Sequence, residues 1–314
     1  MTTGGCRYSR RRFLQAAGGA AGALAASALF PSILRAEAGK TVDVGIASAA
    51  SPTDRARKAV ALLGGMKVFV SRGDVVVLKP NIGWDRTPEQ AANTDPEFVV
   101  AVAEMCLAAG AKEVRVFDRT CNDPRRCYVN SGIKDAVERF ARKNRVEEAL
   151  RIYHVDDRKF IRTAILNAST IKEWELYRDA LDADKIVNLP IAKHHSLAGI
   201  TLGLKNMMGI MGGNRGQIHA RLAECLVDIH RRVPVALTVI DAGRVLLRNG
   251  PSGGNLADVK SFGKAFASRD VVAADLVAAG QIFQRSARDV PHIGKAMEAG
   301  LGISSVSQIR RVEG

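Results

Sequence analysis

The sequence contains no Cys-x-x-Cys pair, which removes zinc-ribbon and ferredoxin frameworks at the outset. It has neither a P-loop nor a Gly-x-Gly-x-x-Gly match, so the usual loop signatures for nucleotide phosphates are missing. No His-x-x-His or His-Glu-x-x-His spacing marks a local metal site. Beyond the first forty residues no apolar stretch is long enough to span a bilayer. That part of the chain also has no internal repeat and no low-complexity tract, which excludes a solenoid.

The first forty residues carry the clearest signal. Ser9-Arg10-Arg11-Arg12-Phe13-Leu14-Gln15 resembles the twin-arginine (Tat) export pattern. An Ala/Gly-rich apolar stretch runs from Phe13 to Phe30, and Ala36-Glu37-Ala38 offers a small-x-small cleavage site. The expectation is a removable signal peptide over residues 1–38. A mature chain from Gly39 to Gly314 would be delivered folded to the periplasm with the Tat translocase as its export partner. The opposing reading is an uncleaved anchor; glycine dilution and the shortness of the run favour the signal.

The formal net charge is +14, and the leader's five arginines and one glutamate account for only a small part of it. An exported protein meets no nucleic acid, so the basic excess is expected either to be a solvated surface or to receive a small anionic ligand. Cys106 and Cys225 sit in apolar helical patterns as core residues. Cys121 and Cys127 flank Asn122-Asp123-Pro124-Arg125-Arg126, and the spacing leaves open a disulfide, arginine-activated thiols or two unrelated loop cysteines.

Strand-like apolar runs alternate with helical patterns, which predicts an α/β fold: a mainly parallel open sheet with helices on both faces, as one domain or two lobes. The runs are Val42–Ile46, Val75–Leu78, Val114–Phe117, Lys185–Leu189 and Val235–Ile240. Asp95 and Pro96 punctuate the start of one helix, and Gly110 its end. Further helices are expected over Gly132–Leu150, Gln217–Arg232, Ala273–Ile282 and Ile293–Ala299. The segment Ile200–Met208 fits a strand and a helix equally well, and the stretch around Trp174 and Tyr177 reads as irregular.

Four strands run into polar residues: Lys79-Pro80-Asn81, Asp118, Lys193-His194-His195 and Asp241-Ala242-Gly243. In an open parallel sheet the carboxyl ends share one edge, where ligands bind. Lys79, Asp118, His195 and Lys205 are the candidate catalytic groups. Asn81, Lys193, Asn206, Gly213, Asn214 and Gly253 are candidate ligand contacts, with Gly209–Gly216 as a glycine-rich loop whose amides suit an anion. A divalent metal would draw on His194, His195, His219 and Asp241. The opposing reading is that charged residues end strands because strands end at the surface.

These segments carry a family resemblance. Val76-Val77-Leu78-Lys79-Pro80-Asn81, Asn188-Leu189-Pro190 with Lys193-His194-His195, Leu202-Gly203-Leu204-Lys205-Asn206, and Asp241 followed by Gly250-Pro251 and Gly253 resemble the bacterial and archaeal family called domain of unknown function 362. Ser268-Arg269-Asp270 with Ala273-Ala274-Asp275 is similar to its closing motif, and the likeness covers roughly residues 42 to 285. The resemblance implies no settled reaction. Longer relatives append an iron–sulfur module whose cysteines this chain lacks, so no built-in cluster is expected. Two functions follow: an exported enzyme acting on a small anionic substrate at the strand ends, or a non-catalytic cofactor-binding or accessory protein of an exported redox complex.

Overall fold

The structure, a computed structural model, describes residues 41–314. The expected signal peptide, its arginine pair and its cleavage site lie outside the described residues. Twelve strands are formed among the described residues: β1 (Val42–Ser48), β2 (Val75–Pro80), β3 (Glu113–Val116), β4 (Leu150–Ile152), β5 (Phe160–Ala164), β6 (Glu173–Tyr177), β7 (Lys185–Leu189), β8 (Ile191–His195), β9 (Gly199–Thr201), β10 (Leu237–Leu246), β11 (Val259–Ser268) and β12 (Ile309–Glu313).

The main sheet runs β12-β1-β11-β10-β7-β2-β3-β4. β11 is antiparallel to both neighbours, and every other pair along this path is parallel. β8 continues the chain of β7 past Pro190, pairs parallel with β10 and turns back antiparallel into β9. β5 and β6 form a separate antiparallel hairpin in the stretch that reads as irregular.

The predicted parallel sheet is therefore present, and its central strands β2, β7 and β10 are buried on both faces. Val76 and Leu78 enter one apolar cluster while Val77 enters the other; Val187 and Ile186, and Val239 and Ile240, divide in the same way. Alternation of side chains along a strand requires that split. Helices Pro52–Ala61, Pro96–Ala108 and Ile133–Asn144 pack on one face. Helices Leu222–Arg232, Val271–Phe283 and Pro291–Glu298 pack on the other. No helix among the described residues is long and apolar enough to cross a membrane.

Local signals account for the helix starts. Asp95 Oδ1 accepts the Glu97 amide at 3.0 Å, with Pro96 at the first helical position. The helix expected over Gly132–Leu150 stops earlier, at Asn144, because Arg145 turns into the left-handed region (φ 55°) and releases the chain into β4. The helix expected from Gln217 begins as a 3₁₀ segment, Arg215–Arg221, and becomes α-helical at Leu222. Ile200–Met208 is both of its alternatives in succession: β9, then a short helix Gly203–Asn206, then a 3₁₀ turn Met207–Ile210.

Candidate functional site

β2, β3 and β7 are neighbours, so their carboxyl ends lie side by side. Lys79 sits at the end of β2, level with Asn188 of β7, and Asp118 follows β3 by two residues. A cavity of about 330 Å³ opens above them. It is lined by Lys79, Asn81, Asp118, Lys193, His195, Lys205 and Asn206 from the sequence-derived set. Trp84, Arg119, Cys121, Thr201, Met208, Gly209, Arg215, Gly216 and His219 complete much of the wall. Gly209, Arg215 and Gly216 belong to the glycine-rich segment, and the sequence singles out His219 and Cys121 for other roles; Trp84, Arg119, Thr201 and Met208 are the wall residues that sequence reasoning does not assign to a site.

Lys79 is buried at 1% exposure, and its Nζ lies 2.7 Å from Asp118 Oδ1. It also donates to the Pro80 carbonyl at 2.7 Å and to Asn206 Oδ1 at 3.2 Å. Burial pulls its pKa below the usual lysine value, against the opposing pull of Asp118. Asp118 Oδ2 accepts the Ile82 amide at 2.7 Å, and the Tyr128 hydroxyl donates to the Asp118 carbonyl at 3.0 Å.

Asn206 has every amide group engaged. Its Oδ1 accepts from Lys79 and, at 3.0 Å, from Asn81 Nδ2. Its Nδ2 donates to the Lys79 carbonyl at 3.0 Å and to Asn188 Oδ1 at 2.8 Å. That set fixes the orientation of the amide, since reversing it would oppose like groups. The segment carrying Asn206 and Lys205 is itself anchored from two helices. Asp275 accepts the Gly203 and Leu204 amides at 2.7 and 2.8 Å, and His230 Nε2 donates to the Leu204 carbonyl at 3.1 Å. Burial raises Asp275 to about 7 and lowers His230 to about 4. Gly203 is required here, because a Cβ would fall 2.8 Å from Asp275 Oδ1.

Lys193, also at 1% exposure, donates to the Ala92 carbonyl at 2.5 Å and to Asn81 Oδ1 at 3.3 Å. Desolvation lowers it to about 7. Lys205 is lowered to about 8, first by desolvation. His195 Nδ1 accepts two amides, Leu197 at 3.1 Å and Ala198 at 3.3 Å, so its proton resides on Nε2. Desolvation lowers it to about 3, which keeps the ring neutral. His219 stacks on it with centroids 5.6 Å apart. Its Nδ1 donates to the Gly216 carbonyl at 2.9 Å, leaving Nε2 as a buried acceptor with no partner among the described residues. Among the described residues Thr201 Oγ1, at 3% exposure, is likewise without a partner.

The lining is strongly cationic: Lys79, Lys193, Lys205, Arg119 and Arg215 face a single carboxylate, Asp118. Arg215 is braced by the Met208 and Thr120 carbonyls at 3.1 and 2.8 Å and reaches Cys121 Sγ at 3.3 Å. Arg119 donates to the Met211 and Gly213 carbonyls, both at 2.9 Å. Cys121 and Cys127 are free thiols, and Cys127 is buried on the helix Pro124–Asn130.

Several expected partners stand elsewhere. Asp241 is not at a strand end, because β10 continues to Leu246. It accepts the Asp95 and Gly243 amides, both at 3.0 Å, with Arg55 at 3.8 Å, and burial raises it to about 6. It is a buried brace for the Pro96–Ala108 helix. His194 points away from His195, as alternation in β8 demands, and its Nδ1 accepts the Gly250 amide at 3.1 Å. The expected metal set of His194, His195, His219 and Asp241 is thus not assembled. Among the described residues no group of three or more His, Cys, Asp or Glu side chains is placed to hold a metal ion. Gly213, Asn214 and Gly253 lie outside the cavity wall; the Gly213 carbonyl serves Arg119 and the Gly253 carbonyl takes Arg86 at 3.4 Å.

A larger groove, about 870 Å³, lies along β4. Its charges satisfy one another: Arg115 and Arg151 pair with Glu113, and Lys159 with Asp179. It lacks the unbalanced charge of the smaller cavity.

A family model described as a domain of unknown function (DUF362) matches residues 76–280. A thylakoid-associated protein of Synechocystis is 30% identical over 247 residues, covering 76% of this chain and 72% of that protein. Among solved structures, the lactate racemase apoprotein of Thermoanaerobacterium thermosaccharolyticum is similar over 79% of this chain, at 12% identity and a TM-score of 0.44. A protein of Thermotoga maritima is similar over 64% of this chain, at 12% identity and a TM-score of 0.36. The matches span 57% and 52% of those two structures' own chains.

Proposed function

This chain belongs to the DUF362 family, and from that premise we propose that it is an enzyme that binds a small anionic substrate in the cavity above Lys79 and Asp118 and moves a proton on it. The observation that carries this reading is the chemistry of the wall: five basic side chains and one carboxylate around about 330 Å³. A small anion entering there is attracted from several sides in a partly desolvated site.

The roles follow from the hydrogen bonds. Lys79, Asp118 and Asn206 form the rigid floor. Arg119 and Arg215 each present a guanidinium with five N–H groups, only some of which are used on backbone carbonyls. His195 offers an N–H to the ligand rather than a base, because its other nitrogen is occupied. Lys205, lowered to about 8, is the group suited to give and take a proton near neutral pH. Export by the Tat route, supported by Arg10 and Arg11 within the expected signal, would place this activity in the periplasm with the translocase as a transient partner.

Solvent exchange tests the reading. Incubation of the protein in D₂O with a panel of small carboxylates and phosphate esters, followed by NMR, should show deuterium entering at least one of them. Lys205→Met should abolish that exchange. Absence of exchange across the panel, or equal exchange in the variant, would contradict the enzyme reading.

The thylakoid association in the name of the Synechocystis relative supports a second reading, an accessory protein held at a membrane-bound assembly. Affinity purification from membranes that returns the chain with a stoichiometric partner, and no exchange activity, would favour it.

A further inference from the structure

Three lysines line the cavity, and two of them are committed. Lys79 is neutralised by Asp118, and Lys193 is held by the Ala92 carbonyl and by Asn81. Lys205 differs. It is buried at 8% exposure, and the one hydrogen-bond partner of its Nζ among the described residues is the thioether of Met208 at 3.5 Å. A thioether is a weak acceptor and carries no charge to hold an ammonium. Both helices that anchor Gly203–Asn206 therefore position an amine with no oxygen partner at the cavity wall.

Two further groups there are unfulfilled. Among the described residues, Thr201 Oγ1 is buried without a partner, and His219 Nε2 is a buried acceptor facing no donor. At a cavity wall, buried polar atoms left open in this way call for a bound molecule or water to supply the missing hydrogen bonds. His195 Nε2–H adds a donor.

We propose that Lys205 is a nucleophilic amine that captures a small 2-oxo carboxylate as a Schiff base in this cavity, an inference that rests on the anion-binding reading above. The lone pair of Nζ forms the C–N bond while the carbonyl π pair moves onto oxygen. That oxygen takes up the proton the nitrogen gives up, which yields a carbinolamine. One further proton, taken from hydronium in the solvent, lets the hydroxyl leave as water, and the nitrogen lone pair completes a protonated C=N bond. No oxidant or reductant is consumed. Arg119 and Arg215 provide cationic charge for the carboxylate. The His195 N–H suits the carbonyl oxygen, and the hydroxyl of the carbinolamine is the kind of donor that His219 Nε2 lacks. The reaction needs a neutral amine at working pH, which a lysine lowered to about 8 supplies in a substantial fraction near neutrality.

The test is borohydride trapping. The intact protein is incubated with pyruvate, reduced with sodium borohydride, digested and mapped by mass spectrometry. A carboxyethyl group should appear on Lys205, rising in yield through about pH 8. It should vanish in Lys205→Arg and persist in Lys112→Arg, an exposed lysine outside the cavity. Acetone, which has the carbonyl but no carboxylate, should label about tenfold less. Peptide mapping of the unaltered protein decides the matter even if a variant fails to fold. Saturable pyruvate binding by calorimetry with no label on Lys205 overturns the Schiff base and leaves the anion cavity standing. Acetone labelling as strong as pyruvate labelling overturns the proposal as well. No binding of any carboxylate or phosphate overturns both readings.

Discussion

The ammonium of Lys79 and the carboxylate of Asp118 meet 2.7 Å apart beneath the backbone of Gly209, so close that a Cβ on residue 209 would fall 1.8 Å from Asp118 Oδ1 and 2.5 Å from Lys79 Nζ. The pair is roofed by bare backbone, and the Arg119 amide donates to the Gly209 carbonyl at 3.1 Å. Glycine at 209 is a matter of space and not of φ.

Gly209→Ala should therefore displace the ion pair. Overpacking of this kind costs about 1–3 kcal/mol, read as a lowered urea midpoint, and ligand binding should weaken with it. A variant as stable as the parent and equally able to bind would show that the roof is not closely fitted.

Removing one member of the pair should cost more than removing both. Lys79→Met leaves a buried carboxylate and Asp118→Leu a buried ammonium, each a loss of about 3–5 kcal/mol. The double variant should recover much of that stability while staying unable to bind anions. Strictly additive losses in a double-mutant cycle would contradict direct coupling.

Acid should weaken the fold partly through His230. Its folded-state pKa, about 4, lies below the ordinary histidine value near 6.5, so the unfolded chain takes up protons that the folded chain refuses. The stability it contributes is complete above about pH 6.5 and is lost as pH falls toward 4, amounting to about 2 kcal/mol by pH 5. His230→Gln keeps a donor for the Leu204 carbonyl without the titration. Its stability should fall less between pH 7 and pH 5 than that of the unaltered protein; parallel profiles would refute the assignment. Asp275 and Asp241 are raised and act in the opposite sense, so the difference between the two proteins is the quantity to measure.

Export should depend on the arginine pair. Arg10→Lys with Arg11→Lys should retain the precursor in the cytoplasm, seen by fractionation and immunoblotting. Undiminished export of that double variant would refute the Tat reading.

Much of this architecture is legible in the sequence. Val75–Leu78 reads as a strand buried on both faces, and Asp95-Pro96 reads as a helix start, because each depends on local chemistry alone. β11 and β12 give weaker signals: they are partly exposed, and they find their places against β1 only in three dimensions. In the cavity, Lys79 and Asp118 are legible because adjacent parallel strands end together. Asp241 departs from that rule because β10 outruns its neighbours. Arg119 and Trp84 arrive through loops, where no period or spacing reports on direction, and Thr201 arrives on β9, a three-residue strand too short to show its alternation. Asp275 lies far from Lys205 in sequence, and its task of capping Gly203 and Leu204 becomes visible only once two helices are seen together.

The most direct test of the anion cavity is a calorimetric titration of inorganic phosphate and a set of small carboxylates into the protein, repeated with Arg119→Gln and Arg215→Gln. One-to-one binding that weakens at least about tenfold in each variant, the cost of a lost charge-assisted contact, and that falls as salt is raised is the predicted result. Anions that fail to bind, or that bind as well without either guanidinium, would contradict it.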